Sequence, residues 1–483
     1  WARHREALDY LEEDKRVRRA IVNYRYRAPE DMFDRHSYPK GGRVLHMLRF
    51  ELGEDLFWRA INRYITVNQF RTVETADLRI AIEEATGQGY NWFFEQWLHH
   101  GGHPDFEVSW RWDEETNTAR VHVKQMQKVD ETTPVFRTSA ELEFATAQGA
   151  AIRRIHVTKA DETFHFQLAE RPTRVCFDPQ GWLLKTLKFD KSKEELLDQL
   201  RHDQHLLCRV QAVQGLASLT KDGDVESALM QAAKADEFWA VRQEAIKALA
   251  KRNGDDVRKA LIQLAMTDGK SFVRREAIHA LGNFAHDDTR ATLRNVVRSD
   301  RSYYAIAEAI KALLKVDRDH SEEVFLNAFH WVSHQQIIEK AAGDGLVALK
   351  STKGIDRMKE LLAEKQSPER RATFIAILAR LKPDDDDAVQ QLRDQLENER
   401  AHVRRAVIDA FVELGNPDAI SWLQEQRGKE ETGSMLRAVD SGIEKLRSKN
   451  VDLSQLRKEL DALRAQNQQL EERLKKLETR QKK

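Results

Sequence analysis

Cysteine is nearly missing from this sequence: Cys176 and Cys208 are its two instances in 483 residues. Two cysteines cannot build a disulfide framework, and they lack the paired spacing of a structural zinc knuckle, so both are expected to be buried free thiols. Net charge is missing as well. The 79 basic and 79 acidic side chains cancel, which removes the positive field that a general nucleic-acid binder needs to neutralise phosphates. No stretch approaches the roughly 20 consecutive apolar residues that cross a bilayer, so a soluble chain without a membrane span is expected. An initiator methionine is absent too: Trp1 opens directly into a helical pattern. A natural N-terminal segment, with any targeting signal, is expected to precede it, so the compartment is unread and the cytoplasm is only the default.

What is present exceeds one hydrophobic core, and several domains are expected. Residues 1–103 read as helical, interrupted by the loop "YRAPEDMFDRHSYPKGG" with Pro29, Pro39 and a glycine pair. Val44, Leu45, Leu48, Leu52, Leu56, Phe57 and Ile61 follow helical spacing, and Gly53 divides the run into two helices. Thr75 is the expected N-cap of a further helix, with Asp77 in its first turn and Gly87 closing it. From 104 to 192 the pattern becomes alternation, in "FEVSWRWD", "ARVHVKQMQK", "AELEFATA", "IRRIHVTK" and "ETFHFQLA", followed by a turn at Asp178, Pro179 and Gly181 and a last strand. A small antiparallel β-sandwich is expected there.

Residues 193–448 repeat. "CRVQAVQGL" from Cys208, "VRQEAIKAL" from Val241, "VRREAIHAL" from Val273 and "VRRAVIDAF" from Val403 share one template, with "IAEAIKALL" from Ile306 and "RRATFIAIL" from Arg370 between them and a degenerate copy near "IIEKAAGDGL". Arg209, Arg242 and Arg274 are 33 and 32 residues apart, and Arg404 follows after 130. Each copy is a helix that cannot bury its Ala, Ile and Leu alone, so stacked pairs resembling a HEAT-repeat solenoid are expected, with the recurrent arginine tying repeats together. Residues 449–483 carry heptads. Leu453, Leu460, Asn467 and Leu474 occupy a and Leu456, Leu463, Leu470 and Leu477 occupy d, the pattern of a short coiled coil making a weak parallel homodimer. The fold class is thus multidomain and mainly α, with one β-sandwich.

The segment that carries chemistry runs from His36 to Val108. It contains Tyr38 before Lys40 and Gly41, then Leu52, Gly53 and Phe57, then Thr75 and Asp77, then Trp92, Trp97, Gly102 and Pro104. In order and distance this resembles the stretch after the zinc site in the gluzincin aminopeptidases, the family of alanyl aminopeptidase and leukotriene hydrolase. The "DPQGWLLK" strand and the helical repeats extend the likeness to nearly the whole chain except the coil. Gly42 departs from the family's more usual alanine. The resemblance implies a zinc-dependent aminopeptidase acting on peptides, with Tyr38 as its catalytic tyrosine: a phenol donor opposite the metal stabilises the oxyanion that forms when water attacks the scissile carbonyl.

The family's H-E-x-x-H is absent from these residues. That motif puts two imidazoles on one helix face with the general-base glutamate between them, and by the resemblance it would lie before Trp1, so truncation is expected and no metal ligand is assigned here. His99, His100 and His103 in "HHGGH" are expected in a surface turn, and His202 with His205 lacks a third ligand. "PKGG" lacks the spacing of a phosphate loop. The rival to an enzyme is a noncatalytic HEAT-repeat scaffold, since the family includes such relatives and both repeats and coils are interaction modules.

Overall fold

The computed structural model describes residues 1–383 and 385–450, together with 463, 464, 467, 468 and 470. The heptad segment therefore lies almost wholly outside the described residues. Two compact units divide at Arg252 and Asn253.

The first unit opens with helices α1 (Ala2–Asp14), α2 (Gly41–Leu52), α3 (Glu54–Asn68), α4 (Thr75–Thr86) and the short α5 (Asn91–Phe94). Gly53 at φ 78° separates α2 from α3, and Gly87 at φ 71° closes α4, both in the left-handed half of backbone space that glycine enters without a Cβ clash. The cap of α4 is Glu74 and not Thr75. The Asp77 carboxylate reaches back to accept the Glu74 amide at 2.7 Å, which makes Thr75 the first helical residue.

Seven strands follow: β1 (Asp105–Asp113), β2 (Thr118–Gln125), β3 (Thr138–Thr146), β4 (Gly149–Val157), β5 (Asp161–Gln167), β6 (Arg174–Phe177) and β7 (Thr186–Phe189). They form sheets ordered β5-β2-β1-β7 and β4-β3-β6. Phe106 meets Phe177 and Phe144 meets Phe166 at ring distances of 5.4 and 4.9 Å, filling the space between the sheets. The expected all-antiparallel pairing fails at one edge, where β7 runs parallel to β1 from Asp105↔Thr186 onward. The four-residue β6 was too short to show as alternation.

Arg43 locks α2 to this β-domain. Its guanidinium is buried and donates to the carbonyls of Gly181, Trp182 and Leu183 at 2.8 to 3.0 Å. Asp178 accepts the amides of Trp182 and Leu183 from the other side. The unit closes with α6 (Lys193–His202), α7 (Leu206–Leu216), α8 (Gly223–Ala235) and α9 (Trp239–Leu249). Cys176 and Cys208 are not free thiols: a disulfide joins β6 to α7, with Cα atoms 6.3 Å apart. Their 32-residue separation gives no hint of it, because the pairing arises from packing of a strand on a helix.

The second unit is helical in its described residues: α10 (Asp255–Thr267), α11 (Ser271–Leu281), α12 (Asp287–Ser299), α13 (Tyr303–Val316), α14 (Glu322–Ala328), α15 (Ile337–Leu349), α16 (Thr352–Ala363), α17 (Pro368–Leu381), α18 (Asp386–Asp394), α19 (Ala401–Leu414) and α20 (Ala419–Lys429). The copies read from the sequence are the second helices of antiparallel pairs: α7 and α9 in the first unit, then α11, α13, α15, α17 and α19. The degenerate copy is explained by space. A Cβ on Gly345 of α15 would sit 2.6 Å from the Phe325 ring, and one on Gly343 would sit 2.5 Å from Ile377.

The template arginine is a clamp. Arg209, Arg242, Arg274 and Arg404 each donate through Nη1 to the carbonyl six residues back, at 2.8 to 3.0 Å. Arg209, Arg274 and Arg404 also grip a carboxylate on the far side: Asp236, Asp300 and Glu430. Removing one partner of so enclosed a pair strands the other. Asp300→Ala is expected to cost about 3 kcal/mol, read from the urea midpoint. A loss under about 0.5 kcal/mol, the size of an ordinary surface substitution, would show that the clamp contributes little.

Candidate active site

Tyr38 stands on a π-helical turn, His36–Lys40, between the proline-containing loop and α2. Pro39 has no N–H to give, and the Lys40 amide bonds five residues back to Arg35 at 3.0 Å, which widens the turn. Asp34 caps it: one carboxylate oxygen accepts the amides of His36 and Ser37 at 3.0 and 3.1 Å, and Arg19 clasps both oxygens at 2.6 and 2.8 Å. Residues then alternate in direction. His36 and Lys40 are fully buried, whereas Tyr38 between them is 67% exposed.

Beneath the turn lies a charged core. Asp14 on α1 accepts from the Tyr10 hydroxyl at 3.0 Å and pairs with Arg18 at 2.9 Å. Its two oxygens lie 3.7 Å from His36 Nε2 and 3.4 Å from His103 Nδ1. Burial pushes this carboxyl up, but the imidazoles of His103 and His36, close by though outside hydrogen-bond geometry, and the charge of Arg18 outweigh it and hold the group well below the usual carboxylate range. Lys40 Nζ lies 3.3 Å from the His100 carbonyl and 5.5 Å from the Tyr10 ring centre. Burial lowers its pKa to about 8, with Asp14 opposing.

The turn "HHGGH" is on the surface only in its first half: His99 is exposed and His100 partly so, but the rest is not. Gly101, Gly102 and His103 are buried, because the Tyr10 hydroxyl, whose one proton Asp14 and the Gly102 carbonyl share at 3.0 Å each, covers Gly102 and Asp14 faces His103. Gly102 has φ 77°, and a Cβ there would meet Thr133 at 2.9 Å. His100 turns instead to the Glu95 carbonyl at 3.0 Å. His202 and His205 also diverge, to Asp198 at 2.8 Å and Glu143 at 2.7 Å.

On its exposed side Tyr38 walls a cleft of about 430 Å³ with Ile21, Val44, Leu45, Leu48 and Phe94. Its ring centre is 5.9 Å from that of Phe33. Among the described residues its hydroxyl has no hydrogen-bond partner. A phenol held on a stiff turn, free at its tip and flanked by apolar walls, is suited to donate to a charge developing on a bound molecule. A Cβ on Gly42 would touch only Glu6 Oε2 at 3.9 Å, so the departure from alanine there changes nothing.

Glu13, Asp34 and His36 bring ligand-type atoms within 4.8 Å of one another. This set does not fit a catalytic zinc. Arg19 already neutralises Asp34, and Arg35 stands 3.6 Å from Glu13, so a divalent ion would face two guanidinium groups. Sequence reasoning missed Asp14 and His36 and read Lys40 only as part of the motif after Tyr38; the one signal was the two-residue spacing of His36, Tyr38 and Lys40, which sends the middle side chain opposite to its neighbours.

Comparison with known proteins places these elements. Residues 2–97 match the peptidase family M1 domain, and 193–282, 226–314, 258–330 and 355–439 match HEAT repeats. A probable aminopeptidase 1 of Sulfurisphaera tokodaii is 30% identical over 107 residues, 22% of this chain and 14% of that protein. Aminopeptidase N of Haemophilus influenzae is 28% identical over 193 residues, 37% of this chain and 22% of that protein. The crystal structure of Legionella pneumophila aminopeptidase A in complex with aspartic acid superposes with a TM-score of 0.56 at 14% identity, covering 90% of this chain and 60% of that one. The chain thus spans under a quarter of the length of these two curated relatives. It resembles the M1 aminopeptidases in its first hundred residues and carries HEAT repeats behind them. Among the described residues no helix is long and apolar enough to cross a membrane.

Proposed function

We propose that residues 1–103 are the part of a zinc aminopeptidase catalytic domain that follows its zinc site, and that the whole protein removes N-terminal residues from peptides. The observation that carries this reading is Tyr38: an exposed phenol in a Tyr-x-Lys-Gly setting, held by Asp34 and a buried polar core and facing an apolar cleft. A tyrosine kept only for packing would bury its ring, and a loop cap would use its hydroxyl. Tyr38 does neither, so its hydroxyl is left to donate to the oxyanion of an attacked peptide carbonyl. His36, Asp14 and Lys40 act only by fixing the turn. The ligands for zinc are proposed to lie outside residues 1–483.

The HEAT repeats favour a second reading, a scaffold without catalysis. One experiment separates the two. The chain is extended at Trp1 by the segment its gene encodes upstream, and hydrolysis of aminoacyl arylamides is followed with and without a chelator. Hydrolysis abolished by the chelator and restored by zinc is expected, and residues 1–483 alone are expected to be inactive. A folded, extended protein with no activity on any aminoacyl arylamide would leave the scaffold standing.

A further inference from the structure

The peptidase reading makes no use of Cys176, Cys208 or Asp203. The two sulfurs come from β6 and α7, and both cysteines are shut off from solvent. The Asp203 carboxylate, 3% exposed, joins them in a group whose ligand-type atoms lie within 4.8 Å of one another. It accepts the His205 amide at 2.8 Å and lies 3.3 Å from Arg174 Nε, while Arg174 Nη1 is engaged by Asp198 at 2.9 Å. Burial raises the Asp203 carboxyl. Gln211 Oε1 is 3.9 Å from Cys176 Sγ, and Gln199 donates to the Cys208 carbonyl. Both glutamines line a cleft of about 490 Å³, and Gln211 is the one that lies between that cleft and a sulfur.

We propose that Cys176, Cys208 and Asp203 form a redox-gated site for one thiophilic divalent cation, closed while the disulfide is intact and opened by a dithiol reductant. The dithiol supplies two electrons and two protons and leaves as its own cyclic disulfide, and Cys176 and Cys208 become thiols. The cation then takes both sulfurs as thiolates, their protons pass to solvent, and the Asp203 carboxylate is the third ligand. Zinc–sulfur bonds of about 2.3 Å set two thiolates ~3.8 Å apart at a tetrahedral angle. Cysteines with Cα atoms 6.3 Å apart reach that separation by turning about χ1. The cation and three anionic ligands sum to one negative charge, so the one guanidinium nearby, Arg174, which Asp203 shares with Asp198, faces an anionic site, whereas the Glu13–Asp34–His36 set supplies only two negative charges against two guanidinium groups. A water from the cleft takes the fourth position of a four-coordinate ion. The disulfide has a structural role of its own, holding β6 to α7, and the proposal adds what the same atoms do once it opens.

The test uses the full chain, reduced with excess dithiol, desalted without oxygen and titrated with cadmium alone. A thiolate-to-cadmium ultraviolet band saturating at one ion per chain is expected, with the oxidised chain and Cys208→Ser showing no such band. Asp203→Asn should keep the band but weaken binding at least tenfold. Circular dichroism on the reduced chain guards the result. Loss of the fold on reduction would make the disulfide purely structural and overturn the proposal. So would a folded, reduced chain without a saturable band, a band in the oxidised chain, or equal affinity in Asp203→Asn.

Discussion

Replacing Tyr38 with phenylalanine in the extended, active protein is expected to lower kcat by about two to three orders of magnitude with little change in KM. The hydroxyl sits at the tip of an exposed ring and makes no hydrogen bond among the described residues, so its removal disturbs no internal contact. On the proposed reading it removes a donor to the charge that develops on the substrate oxygen, and deleting one such donor costs on the order of 3 to 4 kcal/mol. An interaction made only in the transition state depresses kcat and kcat/KM together. The measurement is steady-state kinetics on an aminoacyl arylamide, beside a melting curve to show that the fold is untouched. Wild-type turnover in the variant would take Tyr38 out of the chemistry. A loss confined to KM would make it a residue that holds the substrate in place.

Asp14→Ala is expected to give the largest loss of stability among single changes near this site, about 3 to 5 kcal/mol. The carboxylate is the common partner of Tyr10, Arg18, His36 and His103. Without it the buried Tyr10 hydroxyl loses its acceptor, the Arg18 guanidinium loses its counter-charge, and two buried imidazoles lose the polar group they face. The effect has a definite pH window. A carboxyl held below its unfolded value of about 3.9 adds stability that is complete above that pH and drains away as the pH falls through the folded value. The gap between parent and variant, measured by urea unfolding, should be full at pH 6 and shrink steadily below about pH 4. A gap that persists unchanged into acid would mean that the side chain acts through packing and not through charge.

Much of this molecule was legible before its coordinates. The 3.6-residue periodicity placed the helices, and the repeated Val-Arg-x-x-Ala-Ile template located the second helix of each pair, because burial in a stacked array imposes the same apolar face each time. Tyr38 was singled out through the resemblance, and the coordinates add that its ring is exposed beside an apolar cleft. What stayed hidden depends on contacts between distant segments. The Cys176–Cys208 disulfide needs β6 to pack on α7, and the burial of Gly102 and His103 needs Tyr10 and Asp14 about ninety residues earlier. The parallel β1·β7 pair needs the chain to return past β6. Periodicity reports which face of an element is apolar, but it is silent on which element will cover it.

The arginine clamp also governs how the second unit deforms. In an array where each helix pair touches mainly its neighbours, stiffness is set joint by joint. Arg274 and Arg404 weld their joints with paired carboxylates, but the copy beginning at Ile306 has an isoleucine at that position. Just beyond it, Gln335 and Gln336 take left-handed backbone angles, with φ 53° and 56°, before α15 begins. This joint lacks the arginine clamp and is tied instead by Arg294 to Asp317, by His279 to Glu308 and by Arg370 to the Phe329 carbonyl. Amide hydrogens at Gln335 and Gln336 should exchange through small, frequent openings, whereas those of the buried helices α11, α13 and α19 should wait for the unit to come apart.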